Sequence, residues 1–181
     1  MIYERAHRTS DERAFLDFEA AWDTFGGEGP LMEFVYLLTQ TETLQQRLQG
    51  QVQRIEEEIR KQEVSPDELR LLALVGLASA YGSRLRTREA IEVLDLPAPN
   101  RTLDQFEQEY LLRRTNDGMY LEGLHYIRSS ILTRLLIQPD VNPWFSIAAQ
   151  ALRLVLEEDL ETFVLHALVE EEYRVDRDRF L

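Results

Sequence analysis

Cysteine is absent from the 181 residues. Disulfides and thiolate metal sites are therefore excluded, which fits a reducing compartment such as the cytoplasm. Long apolar runs are missing too. Residues 1–15 have no apolar core of signal-peptide length, and no run approaches the roughly 20 residues that cross a bilayer. Basic residues are the minority, with 20 Lys and Arg against 33 Asp and Glu and a net charge of −13. Unspecific binding to nucleic acid or anionic membranes draws on surplus Lys and Arg, so this balance argues against both. The motifs of common chemistry are also lacking. Gly26, Gly27 and Gly29 match neither GxxxxGK[ST] nor GxGxxG. His7, His125 and His166 lie far apart in sequence, outside any metal-ligand spacing. No nucleophile elbow is present, and the carboxylates fall on solvated helix faces. Neither a bound metal nor a self-contained active site is expected, so the chain itself is read as non-enzymatic.

What is present is a globular composition, 44% hydrophobic, at a length that suits one large domain or two to three small ones. The spacing of Phe15, Phe18, Trp22 and Phe25 predicts a helix over 10–25, stopped by Gly26-Gly27. Gly29-Pro30 opens a second, apolar helix over 31–39, since proline is tolerated at a first helical position. A third, over 44–63, carries Leu44, Leu48, Val52, Ile55 and Ile59 on one face. These elements form a small helical domain, 1–64. Ser65-Pro66-Asp67-Glu68 then reads as cap, proline and capping carboxylate, restarting the chain as a helix over 69–81. Helices over 87–94 and 103–109 follow, the latter capped by Thr102 after a rigid loop at 96–100.

Next come two short strands, 110–114 and 119–124, joined at Asn116-Asp117-Gly118, residues that supply the positive φ angles of a narrow hairpin. An amphipathic helix reaches to 136. Three helices and a two-stranded wing in this order predict a winged-helix domain over 65–138. After the linker PDVNP at 139–143, helices over 144–157 and 160–173 make a C-terminal pair, 139–181, like the start of a helical array. The fold class is thus mainly α: a small helical bundle, a winged helix with one β-hairpin, and a helical pair.

Two positions stand out. Pro30 is either the start of a helix after a flexible turn or a flat ring that packs on an aromatic ligand such as adenine. His125, at the seam between hairpin and helix, is either a buried histidine bonded to a backbone carbonyl or a donor to a phosphate oxygen. DNA binding is argued against by the helix that would enter the major groove, because LDQFEQEY carries Asp104, Glu107 and Glu109 and no basic residue. An acidic winged-helix adaptor, binding protein partners with no nucleotide role, remains an alternative.

The order of parts resembles the middle of the STAND family of signal-transduction ATPases, close to bacterial antiviral STAND proteins and related to NOD-like receptors. The resemblance covers 10–63, 66–137 and 143–181. FGGEGPLMEFVYLLTQTETL is similar to the family's glycine–proline–leucine motif, whose proline contacts adenine; Pro30 stands at that proline. LEGLHYIRSSIL is similar to the methionine–histidine–aspartate motif, whose histidine reaches the β-phosphate of ADP; His125 stands at that histidine. Leu124 replaces the motif's methionine and Tyr126 its aspartate, so the histidine alone carries over.

The resemblance implies a nucleotide-switch region that senses ADP or ATP held by a P-loop domain outside these residues. It also implies sensor repeats downstream, homo-oligomerisation on activation, and a place in cytoplasmic antiviral defence. The chain is expected to be one section of such a protein, although Met1 also permits a small stand-alone one.

Overall fold

The computed structural model describes residues 43–138 and 143–169. Among them are seven helices and one small antiparallel sheet. The expected helices over 10–25 and 31–39, with Pro30, lie outside the described residues. The chain divides into two compact units, Met1–Gln51 and Val52–Leu181.

Helix α1 spans Leu44–Arg60. Thr43 and Gln46 cap it reciprocally: the Gln46 N–H donates to Thr43 Oγ1 at 3.1 Å, and the Thr43 N–H to Gln46 Oε1 at 2.8 Å. Leu44, Leu48, Val52 and Ile55 are buried, as their spacing predicts.

The second unit is arranged around α2, Pro66–Ala80. Its start is the capping arrangement written in Ser65-Pro66-Asp67-Glu68. Ser65 Oγ accepts the Asp67 N–H at 3.2 Å, and the Glu68 carboxylate bonds back to the Ser65 backbone. Burial nevertheless raises the pKa of Glu68, because desolvation outweighs that bond and the one to Thr102. Leu71, Leu72, Leu74, Val75 and Leu77 are buried around the whole circumference of α2, which therefore has no solvated face along its middle.

Two helices cover α2: α5, Tyr126–Leu136, and α6, Trp144–Leu154. A Cβ on Gly76 would lie 3.3 Å from Thr133 Oγ1 and 3.6 Å from the Ser129 carbonyl oxygen, so α5 lies close against α2 at that point. Trp144 is fully buried and donates its indole N–H to Tyr81 Oη at 3.0 Å, satisfying the one polar atom its burial would otherwise strand.

Strand β1, Leu85–Arg86, follows α2 directly and was not anticipated, since two residues carry no period. Helix α3, Thr87–Leu94, has the predicted bounds. Helix α4, Pro99–Gln108, starts earlier than expected, with Pro99 at its first turn. Thr102 is consequently inside the helix, its hydroxyl donating to the Ala98 carbonyl at 3.2 Å, rather than its cap.

The hairpin strands, β2 (Arg113–Thr115) and β3 (Tyr120–Glu122), are shorter than predicted. Residues 110–112 form instead the turn that follows α4. Tyr110 takes φ 57° and the Leu111 N–H returns to the Phe106 carbonyl at 2.9 Å, a helix-closing turn that buries Leu111 and Leu112. The loop is as read: Asn116, Asp117 and Gly118 have φ of 50°, 54° and 85°. The sheet order is β1-β3-β2, all antiparallel, with Leu121 opposite both Leu85 and Arg114.

Helix α6 stops three residues short of its expected end. Val155 is extended and bridges Leu85, and the Leu156 N–H donates to the Arg84 carbonyl at 3.2 Å. A single 3-10 turn, Glu157–Asp159, leads into α7, Leu160–Val169; residues from 170 on lie outside the described region.

Candidate functional site

The seam between β3 and α5 is built by a glycine. The Gly123 N–H donates to Ser79 Oγ at 2.6 Å, tying the end of the hairpin to the last turn of α2. A Cβ at this position would stand 2.1 Å from Ser129 Oγ and 3.2 Å from Ser79 Cβ, so a side chain there must displace the Ser129 hydroxyl and press on Ser79. Because residue 123 lacks one, the chain crosses directly from β3 into α5.

His125 is the N-cap of α5. Its backbone is extended (φ −159°, ψ 143°), its carbonyl accepts the Ser129 N–H at 3.0 Å, and its Nδ1 accepts the Ile127 N–H at 3.2 Å. The imidazole performs the work usually given to a Ser or Asp oxygen. One consequence is chemical. With Nδ1 used as an acceptor, the neutral ring carries its proton on Nε2, which makes the other nitrogen a donor. The residue is exposed, as is Tyr126, and the two rings lie 5.4 Å apart. A buried histidine donating to a carbonyl is therefore not what the structure has; the backbone partner is an N–H.

Around this seam, Arg128 donates to the Tyr110 carbonyl at 2.8 Å, joining the first turn of α5 to the end of α4. A polar cavity of about 190 Å³ borders Gly123, walled by Ser79, Ser83, Arg84 and Glu122. It is smaller than the roughly 300 Å³ at which ligand pockets begin. Gly123 and Ser79 were not singled out from the sequence, though a glycine two residues before the histidine in LEGLHY was a signal of close backbone approach.

The sheet edges are held by ion pairs. Arg84 donates from its backbone N–H and from Nε to Asp159 Oδ2, both at 2.9 Å, and its guanidinium lies 5.4 Å from the Tyr120 ring centre. These bonds hold the Asp159 carboxyl below its ordinary pKa. On the opposite edge, Arg114 donates from its backbone N–H at 2.7 Å and from Nε at 2.9 Å to Glu107, and its guanidinium also pairs with Asp104. Glu107 is likewise held below the usual carboxylate range, chiefly by Arg114. The carboxylates of α4 are thus tied to β2.

Among the described residues, no cluster of His, Asp and Glu could hold a metal ion, and no helix is long and apolar enough to cross a membrane. No family model matches the chain, and no curated protein or solved structure matches it either.

Proposed function

We propose that residues 65–138 are a winged-helix domain acting as the nucleotide-switch region of a STAND-type ATPase in cytoplasmic defence signalling. The order α2, β1, α3, α4, β2, β3 with sheet order β1-β3-β2 supports the winged-helix reading. The observation that carries the switch reading is the placement of His125, exposed at the start of α5 with Nδ1 capping the helix. Its Nε2–H suits a phosphate oxygen, and the positive end of α5 favours the same charge. Both ADP and ATP supply such oxygens.

In this reading the nucleotide sits mainly in a P-loop domain, with Pro30 packing on adenine. His125 gives the closed arrangement its extra affinity for ADP, and exchange to ATP shifts the population towards an open state that oligomerises. The test is calorimetric titration of ADP into the chain joined to its P-loop domain, with and without His125→Ala. Binding weakened about tenfold by the substitution supports the switch; equal affinity rejects it.

One observation favours the adaptor reading instead. The helix that a DNA-binding winged helix would insert carries Asp104 and Glu107, both committed to Arg114. That surface suits a protein partner better than phosphates. An ADP titration with no heat for either form would leave the adaptor standing.

A further inference from the structure

We propose that the cleft between α2, α3 and α6 is a docking site for an acidic peptide segment that carries a large apolar side chain. The cleft encloses about 350 Å³, and its walls include Arg70, Val93, Phe145, Gln150, Arg153 and Leu154. No residue lining it is acidic, although the chain has 33 Asp and Glu against 20 Lys and Arg.

Several arginines of the unit are ion-paired. Arg54, Arg84, Arg86, Arg88, Arg113 and Arg114 each pair with a carboxylate. Arg70 instead donates to the Gln150 side-chain oxygen at 2.9 Å, which fixes its direction without neutralising it. Arg153 is exposed, and among the described residues its guanidinium meets no carboxylate. Its backbone is pinned from behind, since Arg86 donates to the Arg153 carbonyl. Two cations therefore face one cleft, neither paired with a carboxylate among the described residues.

Between them lies apolar surface. Val93 is 56% exposed, and Phe145 and Leu154 line the same wall. Apolar side chains are stabilised when their surface leaves water, so this wall favours an apolar group. The flanking arginines favour carboxylates on either side of it. The apolar wall between the two arginines matches an apolar side chain and not a sugar–phosphate backbone, so the peptide is the occupant that fits. This inference is independent of the nucleotide switch and needs no P-loop domain.

The experiment uses the 181-residue chain and fluorescein-labelled peptides in polarisation titrations. The probe is Glu-Glu-Leu-Phe-Glu-Glu, with Glu-Glu-Ser-Ser-Glu-Glu and Lys-Lys-Leu-Phe-Lys-Lys as controls. The expected result is saturable binding of the first peptide, at least fivefold weaker for each control. Arg153→Glu should weaken it at least tenfold and Val93→Ser at least threefold, both with unchanged helical content and melting temperature. Arg153 is exposed and Val93 largely so, so neither change is expected to unfold the chain. Absence of saturation, equal binding of either control, unchanged affinity in Arg153→Glu, or equal competition by an oligouridylate of the same charge would each overturn the proposal.

Discussion

Gly123 faces Ser129 so closely that a Cβ would stand 2.1 Å from the serine hydroxyl oxygen. That oxygen is buried and has no hydrogen-bond partner. The contact sets the distance at which α5, and with it His125, meets the last turn of α2. Gly123→Ala should therefore cost about 1–3 kcal/mol of stability, the range for overpacking in a dense interior. Ser129→Ala removes an unsatisfied buried oxygen and should be close to neutral. The pair should couple: the double variant recovers part of the Gly123→Ala loss, because the closest clash is gone while Ser79 Cβ at 3.2 Å remains. Urea unfolding of the four chains measures the coupling, and simple additivity would show that the backbone yields instead.

Arg84 and Asp159 tie the strand after α2 to the turn between α6 and α7. The Asp159 carboxyl has a lowered pKa in the folded chain, first because Arg84 bonds to it. The sign follows. A depressed carboxylate contributes its stability above the unfolded value of about 3.9 and loses it as pH falls through the folded value. Asp159→Asn should thus be less stable than the parent at pH 7, by about 1–2 kcal/mol for a charge-assisted pair partly open to water. The gap should close as the pH falls below about 4 and through the lowered folded value. Thermal melts across that range would reject the account if the gap stayed constant.

Arg114 presents a fork to two carboxylates of α4 while its own backbone N–H serves one of them. Lysine offers a single charge without that geometry. Arg114→Lys should therefore lose most of what Arg114→Ala loses, about 1 kcal/mol, rather than a small part of it. Glu107→Gln in the Arg114→Ala background should add little further. Denaturant midpoints of these chains decide the matter, and a fully rescuing lysine would mean that charge alone holds β2 to α4.

The parts that were legible in the sequence are those written by local chemistry. Ser65-Pro66-Asp67-Glu68 caps α2 as read, and Asn116-Asp117-Gly118 takes the three positive φ angles the hairpin requires. The periodicity of Leu44, Leu48, Val52 and Ile55 marks the buried side of α1. What was misread depends on contacts distant in sequence. Residues 110–112 look like strand, yet the Leu111 N–H is drawn back to Phe106, and burial of Leu111 and Leu112 offsets the left-handed Tyr110. Val155 and Leu156 look like a continuing helix, but pairing with Leu85 and Arg84 extends them. His125 was legible as a junction residue. Its capping bond was not, because imidazole is an uncommon cap and nothing in LEGLHY distinguishes the acceptor nitrogen from the donor.

His125 caps α5, and the proposed nucleotide reading gives it a second role that substitution can separate from the first. Alanine removes both the cap and the outward N–H, so His125→Ala should cost about 0.5–2 kcal/mol of stability. Aspartate keeps an acceptor for the Ile127 N–H and adds a favourable charge at the helix start, so His125→Asp should melt at or above the parent temperature. Towards a phosphate the order changes. Alanine supplies no donor, and aspartate supplies a negative charge. On the proposed nucleotide reading, with the chain joined to a P-loop domain, both should weaken ADP, with aspartate at least as damaging as alanine despite its greater stability. Melting temperature and ADP affinity measured on the same three proteins distinguish the roles. If ADP affinity tracks stability, His125 acts only as a cap. If the aspartate protein is the more stable and the weaker binder, the outward nitrogen meets the nucleotide.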